Sequence, residues 1–311
     1  MRDYRMMVKA YEEAGGTPSI FKDPKTAHLV VNQNSVLGSR STDGLTLAAR
    51  EKEGGIDVDL RVDEGIRVAN PVHLCFGILP KEGRQEIKLN ALIKNGAETT
   101  ILAHCVFPNP LKVQHIMDAT YVLEDRAALK YEEVHYHGLT GGIEVIPRTR
   151  IRVGKHASIR TNFTLIRGRV GRLDIDYQAE ADENGIIEMV AKVYGHGEDE
   201  IRIRESGRLF GRGARGLIKS RIAVREMAQS EVISEIAASA PDARGHVDCV
   251  EVVQGEAKAK AVPLVSVLHE NAQVTHEAAI GRVNQKELET LMSRGLKEEE
   301  AVELIIGGML K

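Results

Sequence analysis

The chain has 311 residues, with 42 Lys and Arg against 45 Asp and Glu and a formal net charge of -3. That length buries a substantial core as one large domain with appendages or as two domains, which excludes disorder, and the balanced charge leaves no overall footprint for nucleic acid. No apolar run approaches the ~20 residues needed to cross a bilayer, and the first 14 residues lack the apolar stretch of a secretory signal, so a cytoplasmic location is expected.

Residues 1–25 are expected to form an N-terminal helical appendage. Tyr4, Met7 and Tyr11 mark one helix face, and Gly15-Gly16 ends it. From residue 26 to 283 the pattern becomes short apolar or alternating runs, too short for helices, at 28–31, 56–62, 65–68, 85–89 and 99–106. They continue at 143–146, 150–153, 158–166, 171–177, 185–193, 200–203, 216–224, 228–236, 246–253 and 272–280. The segment 216–240 also fits a helical period, but its alternation favours a strand. Turn formers recur between the runs, as in Lys94-Asn95-Gly96-Ala97, Val153-Gly154-Lys155-His156-Ala157 and Val253-Gln254-Gly255-Glu256-Ala257. With 7 Tyr, 5 Phe and no Trp, the core must consist of small aliphatics. Recurrent turns and small aliphatics together predict a mainly β fold of stacked rungs, a β-solenoid, in preference to a sandwich.

Residues 284–311 predict a helical hairpin. Asn284 and Glu287 frame the first helix as a capping box, Leu288, Leu291 and Met292 give its apolar face, and Gly295 stops it. Glu298-Glu299-Glu300 opens a second helix, placed at 297–306, and Gly307-Gly308 is expected to end it.

The run Val274-Thr275-His276-Glu277-Ala278-Ala279-Ile280-Gly281-Arg282-Val283 is followed by Glu287-Leu288, Leu291-Met292-Ser293-Arg294-Gly295-Leu296, Glu298-Glu299-Glu300-Ala301 and Leu304-Ile305. Together these resemble the C-terminal signature of the SufB/SufD family. Residues 92–310 are similar to that family's core, including Ala243-Arg244-Gly245-His246-Val247-Asp248-Cys249 and Ala261-Val262-Pro263; beside full-length SufB the chain looks shorter at its N-terminus. The resemblance implies a right-handed parallel β-helix acting in iron-sulfur cluster assembly. It also implies pairing through the β-helix, as a homodimer or a SufB/SufD-like heterodimer, and binding of SufC, an ABC-type ATPase, by the C-terminal hairpin. The docking residues would be Leu288, Leu291, Met292, Arg294, Leu304 and Ile305. No P-loop string occurs in the chain, so a non-catalytic scaffold is expected, with ATP hydrolysis on the partner.

A nascent cluster needs soft or deprotonatable ligands. The richest local set is His246, Asp248, Cys249, His276 and Glu277. By the resemblance, His276 matches a functional SufD histidine and Glu277 a SufB glutamate, while the scaffold cysteine of SufB falls on Asp248, next to Cys249. On a strand those two point to opposite faces, so Cys249 would take that place only through a bulge; a buried structural thiol is the alternative. His135 and His137 share a strand face and, with Glu132, Glu133 and Cys105, suggest a second metal site, against the plainer reading of a solvated polar edge. Cys75 is expected to be a buried hydrophobe.

The Arg-rich stretch 201–225 is read as a solvated strand face paired across rungs with Asp174, Asp176 or Glu188; phosphate, flavin or RNA binding is the alternative. Its Gly211-Arg212-Gly213-Ala214-Arg215-Gly216 string lacks the strand-to-helix context of a dinucleotide site. A cluster-free adaptor for an ATPase and, less so, a β-helical carbohydrate-active enzyme are the competing functions. Whether a flavin takes part stays open.

Overall fold

The computed structural model describes residues 2–311. Helix α1 (Arg2–Glu13) and a 3-10 turn (Pro18–Lys22) precede the strands β1 (His28–Asn32), β2 (Ser35–Arg40), β3 (Leu45–Lys52), β4 (Gly55–Val62) and β5 (Val72–Gly77). From there the chain alternates between two sheets. β7 (Glu98–Phe107), β9 (Ala128–His137), β11 (Ser158–Arg167), β13 (Ile186–Gly195), β15 (Arg215–Val224), β17 (Arg244–Val253) and β19 (Gln273–Gly281) extend one sheet from β5. β6 (Glu82–Ile93), β8 (Lys112–Leu123), β10 (Ile143–Val153), β12 (Gly171–Ala181), β14 (Glu200–Leu209), β16 (Gln229–Ala238) and β18 (Lys258–Val267) extend the other from β4. Each strand pairs in parallel with the strand two places on, the signature of a parallel β-solenoid. The segment 216–240 is strand, as its alternation predicts, whereas 65–68 is a corner with a single bridge at Arg67.

In-register stacking converts the alternation of each strand into columns that share the lumen. One column runs Ala103, Glu133, Phe163, Ala191, Ser220, Cys249 and Ala278. Rungs lie only about 4.8 Å apart, so a ring such as that of Phe163 fits where the next rung offers Ala191. This packing explains the scarcity of aromatics.

The corners leading into β7, β9, β11, β13, β15 and β17 place Gly96, Arg126, His156, Asn184, Gly213 and Asp242 at positive φ. A small residue follows each one, and Ala97, Ala127, Ala157, Ala214 and Ala243 are fully buried there. The amide at five of these positions donates to a carbonyl of the next corner along the stack, for example Arg126 to Lys155 at 2.8 Å and His156 to Glu183 at 2.8 Å. The quasi-repeat seen in the sequence is this corner ladder.

The two ends differ. At the N-terminal end β2 and β3 turn back antiparallel on β1 and β4 and finish the sheets, while α1 covers Val30, Cys75 and Val106 on the outer face. Tyr11 donates to or accepts from His73 Nδ1 at 3.0 Å there, and Cys75 is buried as expected. At the other end, α2 (Gln285–Ser293) and α3 (Glu298–Met309) fold back onto the outer face of β13, β15 and β17, packing Leu288, Ala301 and Ile306 on Tyr194, Ala223 and Val252. The hairpin therefore does not close the solenoid. Asn284 caps α2 by accepting from the amides of Lys286 and Glu287, and Gly295 terminates it at positive φ. Gly307 and Gly308, in contrast, continue α3 to Met309, because the hairpin's packing holds the last turn.

Candidate functional site

On the final rung, β19 repeats the register of β17: Val247 faces His276, Asp248 faces Glu277 and Cys249 faces Ala278. Val247 and Cys249 are buried in the lumen, so His276 lies on the lumenal side and Glu277, with Asp248 and His246, on the outer side. No bulge re-aims Cys249. Its thiol lies 3.6 Å from Ser234 Oγ, and burial pushes its pKa up. Asp248 is held by Arg221, with a contact of 2.9 Å to Oδ1, and that guanidinium keeps its carboxyl below the usual range. His246 Nδ1 meets Thr275 Oγ1 at 2.8 Å. Thus the five candidate ligands split into a lumenal pair, Cys249 and His276, and an outer trio.

The lumenal side of this rung is otherwise apolar. Ala259, Ala261, Pro263, Val265 and Val267 on β18 continue the buried column of β16, and Val274, Ala278 and Ile280 do so on β19. Nothing covers them: Val265, Val267 and Ile280 are 37%, 49% and 48% exposed. β18 and β19 are also the unpaired edges of their sheets.

The second cluster lies deep in the lumen and is not the solvated edge that the sequence allowed. Tyr131, Glu133, His135 and His137 all point inward from β9, while Glu132 points out. Cys105 is the in-register neighbour of His135, and donor atoms of Cys105, Glu133 and His135 lie within 4.8 Å of one another. His137 Nδ1 sits 3.2 Å from the Arg169 carbonyl, so it carries the proton and donates. Its Nε2 then accepts from His135 Nδ1 at 3.1 Å, leaving His135 Nε2 as the acceptor from Glu133 Oε1 at 2.8 Å. Burial acts in the matching direction, raising Glu133 and lowering His135 to about 3. Tyr177 donates to the other carboxyl oxygen at 3.3 Å.

Gly168 secures the His137 end. It sits at φ +89, and a Cβ there would run into the His137 carbonyl. Gly168→Ala is expected to lower stability by about 2–4 kcal/mol, read as a shift of the urea midpoint at unchanged m-value.

The family model described as "SUF system FeS cluster assembly, SufBD core domain" matches residues 87–309, which include both clusters and the hairpin. This chain belongs to the SufBD family. An iron-sulfur cluster assembly SufBD family protein of Methanocaldococcus jannaschii is 33% identical over 98% of this chain and 96% of its own length. A protein of the same description from Pyrococcus horikoshii is 31% identical over 100% of this chain and 94% of its own. Membership gives this SufBD chain a role in iron-sulfur cluster assembly, and with it a transient involvement of iron or a nascent cluster. No helix among the described residues is long and apolar enough to cross a membrane.

On the SufBD hairpin, Leu288 is spent on the solenoid, whereas Met292 and Leu304 are 41% and 55% exposed. Leu291, Leu304, Ile305 and Met309 line one open groove between α2 and α3 with Lys286 and Glu287 at its edge; Arg294 is exposed at the C-cap of α2. The Arg-rich stretch is a cross-rung ion-pair face, as expected, but with other partners. Arg204 meets Glu235, Arg208 meets Glu180 and Arg212 meets Asp242, while Asp174 is taken by Arg148 and Arg172 and Glu188 by Arg160. Sequence reasoning missed His115 and Gln85, which reach the β9 cluster from the opposite sheet. Their signal was a polar residue at an inward position of an alternating strand, visible only once the inward phase of β6 and β8 was known.

Proposed function

We propose that this chain is a non-catalytic scaffold that pairs through its open last rung, as a homodimer or with a SufB/SufD-like chain, and holds a nascent iron-sulfur cluster at that junction. The observation that carries this reading is the uncovered apolar mouth of the solenoid, flanked by two unpaired strand edges and containing one imidazole, His276. A second rung laid on β18 and β19 buries the apolar side chains and satisfies both edges. His276 and Cys249 then supply the soft ligands from the lumenal side, and Glu277, His246 and Asp248 stand on the outer rim. The α2–α3 groove is proposed as the docking surface for a SufC-like ABC ATPase, which performs the ATP hydrolysis.

Anaerobic reconstitution with iron and sulfide tests the cluster. The expected result is a chain that retains a cluster when paired, and loses most of it in His276→Ala and Cys249→Ala while Asp248→Asn retains it. Equal retention by all three variants removes the proposed ligand set. For the hairpin, Leu304→Asp is expected to abolish co-purification with the ATPase while leaving the circular dichroism and thermal transition of the chain unchanged; an unimpaired complex rejects that docking surface.

A further inference from the structure

The β9 cluster is built in a way that a purely structural hydrogen-bond network does not require. His115, only 1% exposed, approaches from β8 on the opposite sheet, with its ring 6.0 Å from that of His135. Its Nδ1 lies 2.9 Å from Gln85 Oε1, an acceptor, so Nδ1 carries the hydrogen and Nε2 keeps its lone pair. That Nε2 is buried and has no hydrogen-bond partner. Gln85 is itself fully buried and fixed by its amide to the Gln33 carbonyl at 2.5 Å and the Gly77 carbonyl at 3.3 Å. His137 repeats the arrangement, with Nδ1 anchored on a backbone carbonyl and Nε2 turned into the cluster. An imidazole whose one nitrogen is tied to a carbonyl and whose other presents a lone pair is the usual preparation of a metal ligand.

We propose that this part of the lumen is a mononuclear metal site that binds one divalent ion of the Fe2+/Zn2+ class through Cys105 Sγ, the Glu133 carboxylate and His135, with His115 Nε2, which stands outside that 4.8 Å set, drawn in as fourth donor on loading. Thiolate, imidazole and carboxylate together select a borderline transition metal over Ca2+ or Mg2+, which take oxygen donors. Charge favours the same stoichiometry: one thiolate and one carboxylate offset a divalent ion, so the loaded site places no net charge in the interior. His137 and Tyr177 act as positioning residues, through His135 and Glu133 respectively. The site is enclosed by rungs, so loading accompanies folding. It is distinct from the mouth of the solenoid, since Cys105 and Cys249 lie on strands β7 and β17, five rungs apart along one sheet.

Co2+ serves as the probe. The full-length chain is refolded anaerobically with Co2+, without sulfide or an ATPase, and its metal content and absorption spectrum are measured after desalting. The expected result is one Co2+ per chain with a thiolate-to-metal charge-transfer band. That band disappears in Cys105→Ser and persists in Cys75→Ser and Cys249→Ser, and His115→Gln weakens Co2+ retention by about 10–100-fold against a chelator. If Cys105→Ser fails to refold, the His115→Gln shift decides. Absence of the band in the wild type, a band lost in Cys249→Ser instead, or retention indifferent to His115→Gln overturns the site. Because neither sulfide nor a second chain is needed, failure here leaves the scaffold reading standing, and failure of cluster reconstitution leaves this site standing.

Discussion

Glu205→Gln is expected to stabilise the protein at pH 9 by up to about 5 kcal/mol and to flatten its stability between pH 5 and 8. Glu205 points into the lumen from β14, is 1% exposed, and has one carboxyl oxygen without a partner. Its in-register neighbours are Tyr177 and Ser234, neither of which offers a positive charge. Burial raises its pKa from 4.5 to about 8. Between those values the folded chain holds a proton that the unfolded chain has released, so stability falls as pH rises through this window, and the penalty is complete above the folded value. A neutral amide of the same shape removes that penalty. Equilibrium urea unfolding from pH 5 to 9 reads it. Glu133 and Glu251 are also raised by burial and keep part of the slope in the variant. Parallel curves for wild type and Glu205→Gln would contradict the assignment.

The same substitution on adjacent rungs should have opposite consequences. Ile236 and Val265 are direct neighbours in register, the first fully buried and the second 37% exposed at the open mouth. Ile236→Asp places a carboxylate among aliphatic rungs with no partner and is expected to cost about 4 kcal/mol or more, giving insoluble or unfolded protein. Val265→Asp should change the stability of the isolated chain by no more than about 0.5 kcal/mol, because water already reaches that position. In a pair of chains it is buried again, so light scattering coupled to size exclusion should show a pair for the wild type and a single chain for Val265→Asp. A wild type that runs as a single chain at all concentrations, alone and with a SufB/SufD-like partner, rejects the pairing through this rung.

The solenoid was legible in the sequence because its determinants are local. Strand alternation, small-residue corners and a shortage of aromatics each follow from rungs about 4.8 Å apart, and each can be read within ten residues. The Asn284 cap of α2 was legible for the same reason, since it acts on amides two and three residues away, whereas the reciprocal bond expected of Glu287 is made instead in α3, where Glu300 accepts from the Lys297 amide. Gly307-Gly308 misled because intrinsic helix propensity is outweighed by tertiary packing at the end of α3.

The candidate sites divide along the same line. That Asp248 and Cys249 face opposite ways follows from two-residue periodicity alone. Which of them looks into the lumen does not, because that phase is set by Val247 and its neighbours fitting the aliphatic column. His135 and His137 could be paired from their spacing, yet their burial, the exclusion of Glu132 and the arrival of His115 and Gln85 depend on contacts 20 to 30 residues distant, made between stacked rungs and across the lumen. The sequence by itself determined the class of fold, the family and the presence of ligand-type residues, since these rest on short-range pattern. Only the tertiary structure decided which ligands share a space and that the last rung stays open, because stacking register and the side on which the hairpin packs are properties of the whole assembled chain.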